Sequence, residues 1–243
     1  ARAAARAKPV VVVKPGRHAR REAPALTHAA VLAAPDAVYD AAFRRAGLLR
    51  VHALDELFAA AETLSHLGSL PGDRLAVMTN GIGVGMLALD RLVDLGGTRA
   101  TLSDATLDTL DAALERGWSR RNAVDMLGDA DGRRYAATLE ALLEDRENDA
   151  VLVMQVPTVL SDPDETAAAV VRTLATRPRT AQAKPVFAVW LGDQVDARQT
   201  LGDAGIPVYA SEADAVRGFM YLVRHQQAQR ALMETPPSLP EDF

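Results

Sequence analysis

The 243-residue sequence contains no cysteine. That absence excludes a disulfide frame, a thiolate zinc site, a cysteine nucleophile and thiol redox chemistry. Long apolar runs are missing too: none approaches the ~20 residues that cross a bilayer. The short valine-rich run near the start ends in basic residues, which is the wrong pattern for a signal peptide. Together these absences remove membrane roles and fit a cytoplasmic protein. An excess of positive charge is also lacking, since 27 Lys and Arg against 32 Asp and Glu leave a net charge of -5. A nucleic-acid surface over the whole molecule is therefore not expected. The charge is uneven, however. Seven basic residues (Arg2, Arg6, Lys8, Lys14, Arg17, Arg20, Arg21) and one acid (Glu22) give the first 24 residues +6 and leave -11 on the remainder.

With 49% hydrophobic residues, the chain is long enough to bury a full core in one or two domains. It opens on a short Ala/Arg stretch that reads as the tail of a helix already under way, as though the chain were a piece of something longer. Val10-Val11-Val12-Val13, closed by Pro15-Gly16, reads as one fully buried strand of a parallel sheet, the last strand of a preceding α/β domain. A lone strand needs partners, either in the sheet further on or in a domain on the N-terminal side. Helical spacing then recurs over 35–46 and 53–67. In the first of these Asp36 is placed to cap, and Val38, Ala41, Ala42 and Phe43 supply the apolar positions; Leu54, Leu57, Phe58, Ala61 and Leu64 form the stripe of the second.

From Arg74 onward the apolar period alternates between strand and helix. Strands are expected at 75–79, 99–102, 124–127, 150–156, 186–191 and 207–209, and helices near 86–95, 107–115, 133–144, 165–175, 197–204 and 213–227. Strict alternation with short loops calls for a parallel sheet with helices on both faces. The fold class is α/β, a flavodoxin-like three-layer domain preceded by a histidine-bearing loop and two helices. The expected divisions are 1–24 (remnant of a preceding domain), 25–71 (His loop and linker helices), 72–228 (the flavodoxin-like domain) and 229–243 (a Pro-rich linker tail).

In such folds ligands bind beyond the carboxyl ends of the strands, near helix N-termini. The first strand-to-helix turn reads Asn80-Gly81-Ile82-Gly83-Val84-Gly85. Its glycines either serve tight strand–helix packing or let an anion approach the amides of the new helix. No Lys-Ser/Thr follows, as a Walker loop requires, and no acid ends the next strand to hold a ribose. A second turn, Asn122-Ala123-Val124-Asp125-Met126-Leu127-Gly128-Asp129, offers a loop that bonds its own backbone, with Asp129 available as a helix cap. His52, His66 and His225 lack a second ligand at metal-binding spacing, and His18 sits in a basic stretch. His28 differs from these, because it lies in an irregular, small-residue segment between structured regions, where functional groups concentrate.

Taken in order, these motifs resemble one family. Lys8-Pro9-Val10-Val11-Val12-Val13-Lys14, the His28 loop, Asp36-Ala37-Val38-Tyr39-Asp40-Ala41-Ala42-Phe43, Glu56-Leu57-Phe58, Gly72-Asp73-Arg74 with the glycine turn, Trp118-Ser119 with Asn122, Asp125 and Gly128, and Lys184-Pro185-Val186 are similar to the NDP-forming acyl-CoA synthetases, relatives of succinyl-CoA ligase. The closing segment, with Phe219-Met220-Tyr221 and Leu232-Met233-Glu234, resembles the branch in which this region is fused to a protein lysine acetyltransferase.

The resemblance implies an acid–CoA ligase in which His28 is phosphorylated and relays phosphate between acyl-CoA and nucleotide sites. It makes Asn80, Gly81, Gly83, Val84 and Gly85 a phosphate-binding turn and Asn122, Asp125 and Gly128 a supporting loop, with no metal site of their own. It also implies CoA or acyl-CoA and ATP or ADP with Mg²⁺ as cofactors, bound mostly by domains outside these residues, so that this piece alone would be inactive. The implied partners are acyl-CoA, nucleotide, a fused acetyltransferase with its protein lysine substrate, and an oligomeric assembly, with no nucleic acid or membrane. The family usually has Ser-His-Thr-Gly where this chain has Thr27-His28-Ala29-Ala30. That departure supports an alternative, an inactive acyl-CoA-sensing module. A receiver-like or flavin-binding domain is disfavoured by the missing acidic cluster and by an aromatic content of 5%.

Overall fold

The computed structural model describes residues 2–17, 35–66, 70–114, 116–177 and 183–233. His28 and His18 lie outside the described residues. The chain divides into two compact units, residues 1–64 with 224–243, and residues 65–223.

In the smaller unit, β1 (Val11–Val13) pairs in parallel with β2 (Leu49–Val51), in the register Val11↔Leu49 and Val13↔Val51. This corrects the sequence reading twice. The valine run is half-buried rather than fully buried, and its partner is Leu49-Arg50-Val51, a strand not anticipated. Three residues beside a helix stop carry too short a period to announce themselves. Around the pair lie α1 (Arg2–Ala7), α2 (Asp36–Arg45) and α3 (Leu54–His66). Ala5, Leu48 and Leu232 form a small core, with Val10, Val12, Phe43 and Ala46 packed against it.

Asp36 does not cap α2. Pro35 is the N-cap residue, without a side-chain bond, and the Asp36 carboxylate turns to Arg50 instead. The expected stripe on α3 is rotated as well. Ala60 and Thr63 are its buried residues, whereas Leu54 and Phe58 stand 65% and 69% exposed. Small side chains are its fully buried residues, while Leu57 and Leu64 are half-buried.

The larger unit is the expected parallel α/β domain. Its strands are β3 (Arg74–Thr79), β4 (Thr98–Arg99), β5 (Val124–Asp125), β6 (Ala150–Gln155), β7 (Val186–Trp190) and β8 (Val208–Tyr209). They run in the order β4-β3-β6-β7-β8, and β5 also pairs with β3. Every pairing is parallel. Apart from the added β5, this is the 2-1-3-4-5 order of flavodoxin-like sheets, whose strand order reverses beside the first strand, between β3 and β6.

The helices are α4 (Ile82–Asp94), α5 (Asp104–Ala113), α6 (Gly132–Glu144), α7 (Pro163–Ala175), α8 (Val195–Asp203) and α9 (Glu212–Met233), the last with residues 212–223 in this unit and 224–233 in the smaller one. Side chains alternate across the sheet. Ala76, Met78, Val151, Val153, Ala188 and Trp190 meet Leu110, Tyr135, Leu139, Val170 and Leu201 of α5–α8. On the other face Phe187 meets Phe219 of α9 edge-on, with ring centroids 5.9 Å apart. Helix starts are set by short polar side chains, Ser103 on α5, Asp131 on α6 and Asp162 on α7, each accepting from an amide of the first turn.

Strand β3 is completed by a side chain. Its first residues pair with β4 and its last with β5. In the gap between them, Asn122 Oδ1 accepts from the Val77 amide (2.8 Å) while its Nδ2 donates to Leu75 O (2.9 Å) and Ala100 O (3.0 Å). One carboxamide thus stands in for a missing strand peptide. At the opposite end of the sheet, Asp149 Oδ2 accepts from the Arg74 backbone amide and from Arg74 Nε, both at 2.9 Å. Burial alone would raise the Asp149 carboxyl, but the Arg74 hydrogen bonds outweigh it and hold the group below the ordinary carboxylate range.

Two outcomes are expected in urea denaturation. Asn122→Ala strands a backbone donor and an acceptor and should cost about 3 kcal/mol; a loss within the noise of a surface substitution would refute the strand-completing role. Because the Asp149 carboxyl is lowered on folding, its contribution is complete above the unfolded carboxylate value and is lost as pH falls through the folded one. Asp149→Asn should therefore cost about 2 kcal/mol at neutral pH and progressively less at acid pH. A gap between wild type and variant that stays constant down to about pH 3 would contradict this.

Candidate functional site

The site lies at the carboxyl ends of β3 and β6, where the strand order reverses. Asn80, just past β3, is 3% exposed, and its side chain bridges the two strand ends. Its Nδ2 donates to Val156 O (2.9 Å), and its Oδ1 accepts from the Val156 amide (2.7 Å). Both ends of the carboxamide are thereby committed to Val156, so Asn80 contributes to the turn by locking its position.

The glycine turn belongs to the helix. The sequence reading began this helix at Met86, whereas α4 starts at Ile82 with Gly81 as its N-cap, so that Gly83, Val84 and Gly85 lie in its first turns. Glycine ranks low as a helix former, which hid the start. The Gly81 amide donates to Thr79 Oγ1 (3.0 Å), and those of Val84 and Gly85 donate to Gly81 O (3.1 and 3.3 Å). The Ile82 and Gly83 amides remain as the outward donors of the helix. The end has no side-chain cap and no acid in its first turn, so no side chain there offsets its positive partial charge. Ile82 was missed as a donor because only the helix register, unknown beforehand, assigns it that position.

The three glycines separate into two kinds. A Cβ on Gly81 would come within 2.8 Å of Val156 Cγ2, and one on Gly85 within 2.9 Å of Ala123 Cβ, so packing requires both. A Cβ on Gly83 would meet nothing within 4 Å. Gly83 is exposed and needed by no neighbour, which is the arrangement expected where a ligand passes close to the backbone.

The loop after β5 flanks this turn. Asp125 Oδ1 accepts from the Leu127 amide (3.1 Å) and supports Leu127 at φ 70°, a left-handed conformation that costs a branched side chain roughly 1–2 kcal/mol. Gly128 O accepts from Thr158 Oγ1 (2.5 Å), tying this loop to the one after β6. Asn122 serves the sheet, as described above. Asp129 does not cap α6, since Asp131 does; Asp129 instead receives Arg134 Nη1 (3.0 Å), and this hydrogen bond holds its carboxyl below the usual range. Arg134, overlooked in the sequence because an arginine on a helix reads as solvated, also donates to Asp129 O (2.8 Å) and pins the loop. Val159 and Leu160, in the turn bridged by Thr158 and Ser161, stand 102% and 74% exposed. Among the described residues no three His, Asp or Glu side chains gather as a metal site, and no helix is long and apolar enough to cross a membrane.

The chain is thus a parallel α/β protein of flavodoxin-like order with an uncapped, glycine-opened helix at the switch point, where ligands of such folds bind. Comparison with known proteins gives the family relationship. Residues 1–64 match the family described as succinyl-CoA ligase like flavodoxin domain, a match that falls in the smaller unit. The chain is 32% identical over 221 residues to the alpha subunit of ADP-forming acetate–CoA ligase I of Pyrococcus furiosus, covering 89% of this chain and 46% of that one. It is also 32% identical over 228 residues to ADP-forming acetate–CoA ligase I of Archaeoglobus fulgidus, covering 93% of this chain and 32% of that protein. The structure of the dinucleotide-forming acetyl-coenzyme A synthetase 1 of Ca. Korarchaeum cryptofilum, in its apo form, superposes with a TM-score of 0.80 at 25% identity, covering 93% of this chain and 48% of that one. This chain is a homologue of the NDP-forming acyl-CoA ligases, as its motifs indicate, and spans about half or less of the length of these relatives.

Substitutions at the glycines test the distinction between them. Gly85→Ala should destabilise the domain by about 1–3 kcal/mol through overpacking, whereas Gly83→Ala should be neutral or stabilise it by roughly 0.5–1 kcal/mol. Equal thermal shifts for the two variants would show that the site has been misread.

Proposed function

We propose that this chain is the phosphate-relaying part of an NDP-forming acyl-CoA ligase, with His28 as carrier and the start of α4 as an anion cradle. The observation that carries the reading is Gly83, a glycine with open space above it beside the outward Ile82 and Gly83 amides. The family relationship gives that cradle its guest, a phosphoryl group. The relatives matched over most of the chain are named for acetate and 4-hydroxybutyrate, which favours a short carboxylate as the acid, while one matched over 62% of the chain is named for trans-feruloyl-CoA.

In the forward direction, phosphate displaces CoA from acyl-CoA to give an acyl phosphate. The lone pair of a neutral His28 nitrogen then attacks phosphorus, and the carboxylate leaves. A terminal oxygen of ADP takes the phosphoryl group, forming ATP and returning the imidazole. The helix end stabilises the phosphoryl oxygens through two amides and the helix dipole, without displacing any protein bond. Nucleotide, CoA and the Mg²⁺ that neutralises the phosphate charge are assigned to portions of such ligases that the relatives have and these residues do not span.

A second reading rests on Thr27-His28-Ala29-Ala30. Ala30 stands where the family's glycine is free to adopt positive φ, which suits a module that senses acyl-CoA and regulates a fused protein lysine acetyltransferase.

Incubation of the full-length protein, with its nucleotide-binding portion, in γ-labelled ATP and Mg²⁺ separates the two. The relay predicts acid-labile, base-stable label that disappears in His28→Ala and falls roughly 10-fold in a normally folded Gly83→Ala. Absence of label while acetyl-CoA still binds would overturn the relay and leave the regulatory module.

A further inference from the structure

Strand β6 ends on a polar side chain that the fold leaves unsatisfied. Its first five residues, Ala150 to Met154, are apolar, yet Gln155 is 0% exposed and neither Nε2 nor Oε1 of its carboxamide has a partner among the described residues. Buried polar groups are nearly always hydrogen-bonded, because an unmet donor or acceptor has given up water for nothing. A methionine would fill much the same space without that cost. The neighbours of Gln155 along the sheet are both committed. Trp190, its register partner on β7, donates Nε1 to Pro163 O (3.0 Å), and Asn80, which follows the Met154 partner Thr79, is bonded to Val156. Alternation along β6 puts Gln155 on the face of Val151 and Val153, which is packed by Tyr135 and Leu139 of α6 and Val170 of α7. The connection 156–162 crosses the strand end on that side to reach α7.

We propose that Gln155 is a specificity-determining residue, which hydrogen-bonds a hydroxyl group of the carboxylic acid substrate when the turn 157–161 lifts from the end of β6. It rests on the acyl-CoA ligase reading above and narrows the acid to a hydroxy acid. The strand end is the right place, since ligands of such sheets bind beyond the carboxyl ends of the strands beside the reversal of order. The chemistry also fits. A hydroxyl both donates and accepts, so one such group answers Oε1 and Nε2 together, whereas a carboxylate only accepts and would leave Oε1 unmet. The surroundings are neutral as well. Burial pushes the Tyr135 hydroxyl up and keeps it protonated, with Oη donating to Met154 O (3.0 Å), and the Arg134 guanidinium is taken by Asp129 and the carbonyls of Met126 and Asp129. An uncharged group is therefore favoured over a charged one. The cover is lightly held. Thr158 Oγ1 donates to Gly128 O (2.5 Å) and Ser161 Oγ to Ala130 O (2.6 Å), while the side chains at the tip, Val159 and Leu160, are exposed. Lifting the turn gives up two side-chain hydrogen bonds and little apolar burial at its tip.

The experiment measures acyl-CoA formation by the full-length protein from ATP, CoA and Mg²⁺ with pairs of acids that differ by one hydroxyl: glycolate and acetate, lactate and propionate, 4-hydroxybutyrate and butyrate. In at least one pair the wild type should favour the hydroxy acid in kcat/KM by roughly 100-fold or more. Gln155→Met nearly conserves volume and removes both polar atoms, and it should bring that ratio to within a few-fold by lowering kcat/KM for the hydroxy acid. Where this variant fails to fold, the wild-type ratios decide. Ratios near one in all three pairs, or a preference for the acid without the hydroxyl, would overturn the proposal; the first is the result expected of a carboxamide satisfied by an enclosed water. A hydroxyl preference that survives in folded Gln155→Met would overturn it too. Failure of the wild type to form acyl-CoA from any of these acids would instead overturn the ligase reading and this inference with it.

Discussion

The reversal of strand order at β3 and β6 makes the site, and one carboxamide holds that reversal together. Strands on either side of a switch point send their crossovers in opposite directions, so their carboxyl ends open into a crevice where backbone groups lack partners. Asn80 fills that need from β3 by exchanging two hydrogen bonds with the backbone of Val156 after β6. With the strand ends locked, Gly81 seats against Val156 and α4 departs with its first amides facing outward. Close packing at Gly81 and Gly85 and openness at Gly83 are two aspects of one geometry. The helix must come down hard on the sheet for its end to stand clear of everything else.

Where its period was long, the architecture was legible in the sequence. Apolar runs such as 150–154 and 186–190, separated by helical spacing, identify buried parallel strands because a central strand covered on both faces has few polar positions to interrupt it. The shortest elements were not legible. Leu49-Arg50-Val51 and Val124-Asp125 are strands only because another strand lies beside them, and pairing is not a local property. The start of α4 escaped for a different reason: its glycines answer to Val156, Ala123 and a site, while local propensity speaks for a loop. Within the candidate turn, what each side chain bonds to was not legible. The turn was located by its position after the first strand. That Asn80 is spent on Val156, that Asp131 rather than Asp129 caps α6, and that Ile82 is a donor all depend on register and strand order, which one sequence does not reveal.

Polar side chains in this domain work mainly for the backbone. Asn80, Asn122 and Asn148 each bond main-chain groups, and Ser119, Thr158 and Ser161 tie loop carbonyls at the carboxyl end of the sheet. Such side chains let short strands and irregular loops approach one another without stranding buried amides and carbonyls. Gln155, the last residue of β6, is an exception among the described residues: both polar atoms of its buried carboxamide lack a partner.

The carboxamide of Asn122 has a further consequence, in chemical ageing. Loss of its side-chain nitrogen by deamidation would replace a donor shared by two carbonyl oxygens with a carboxylate facing them, turning attraction into repulsion inside the sheet. The same contacts oppose that reaction, because a side chain held in three hydrogen bonds cannot readily swing to meet the following backbone nitrogen. The domain's shelf life and its fold are thus guarded by the same three bonds, and the first molecules to age should be those whose sheet has already opened at β3.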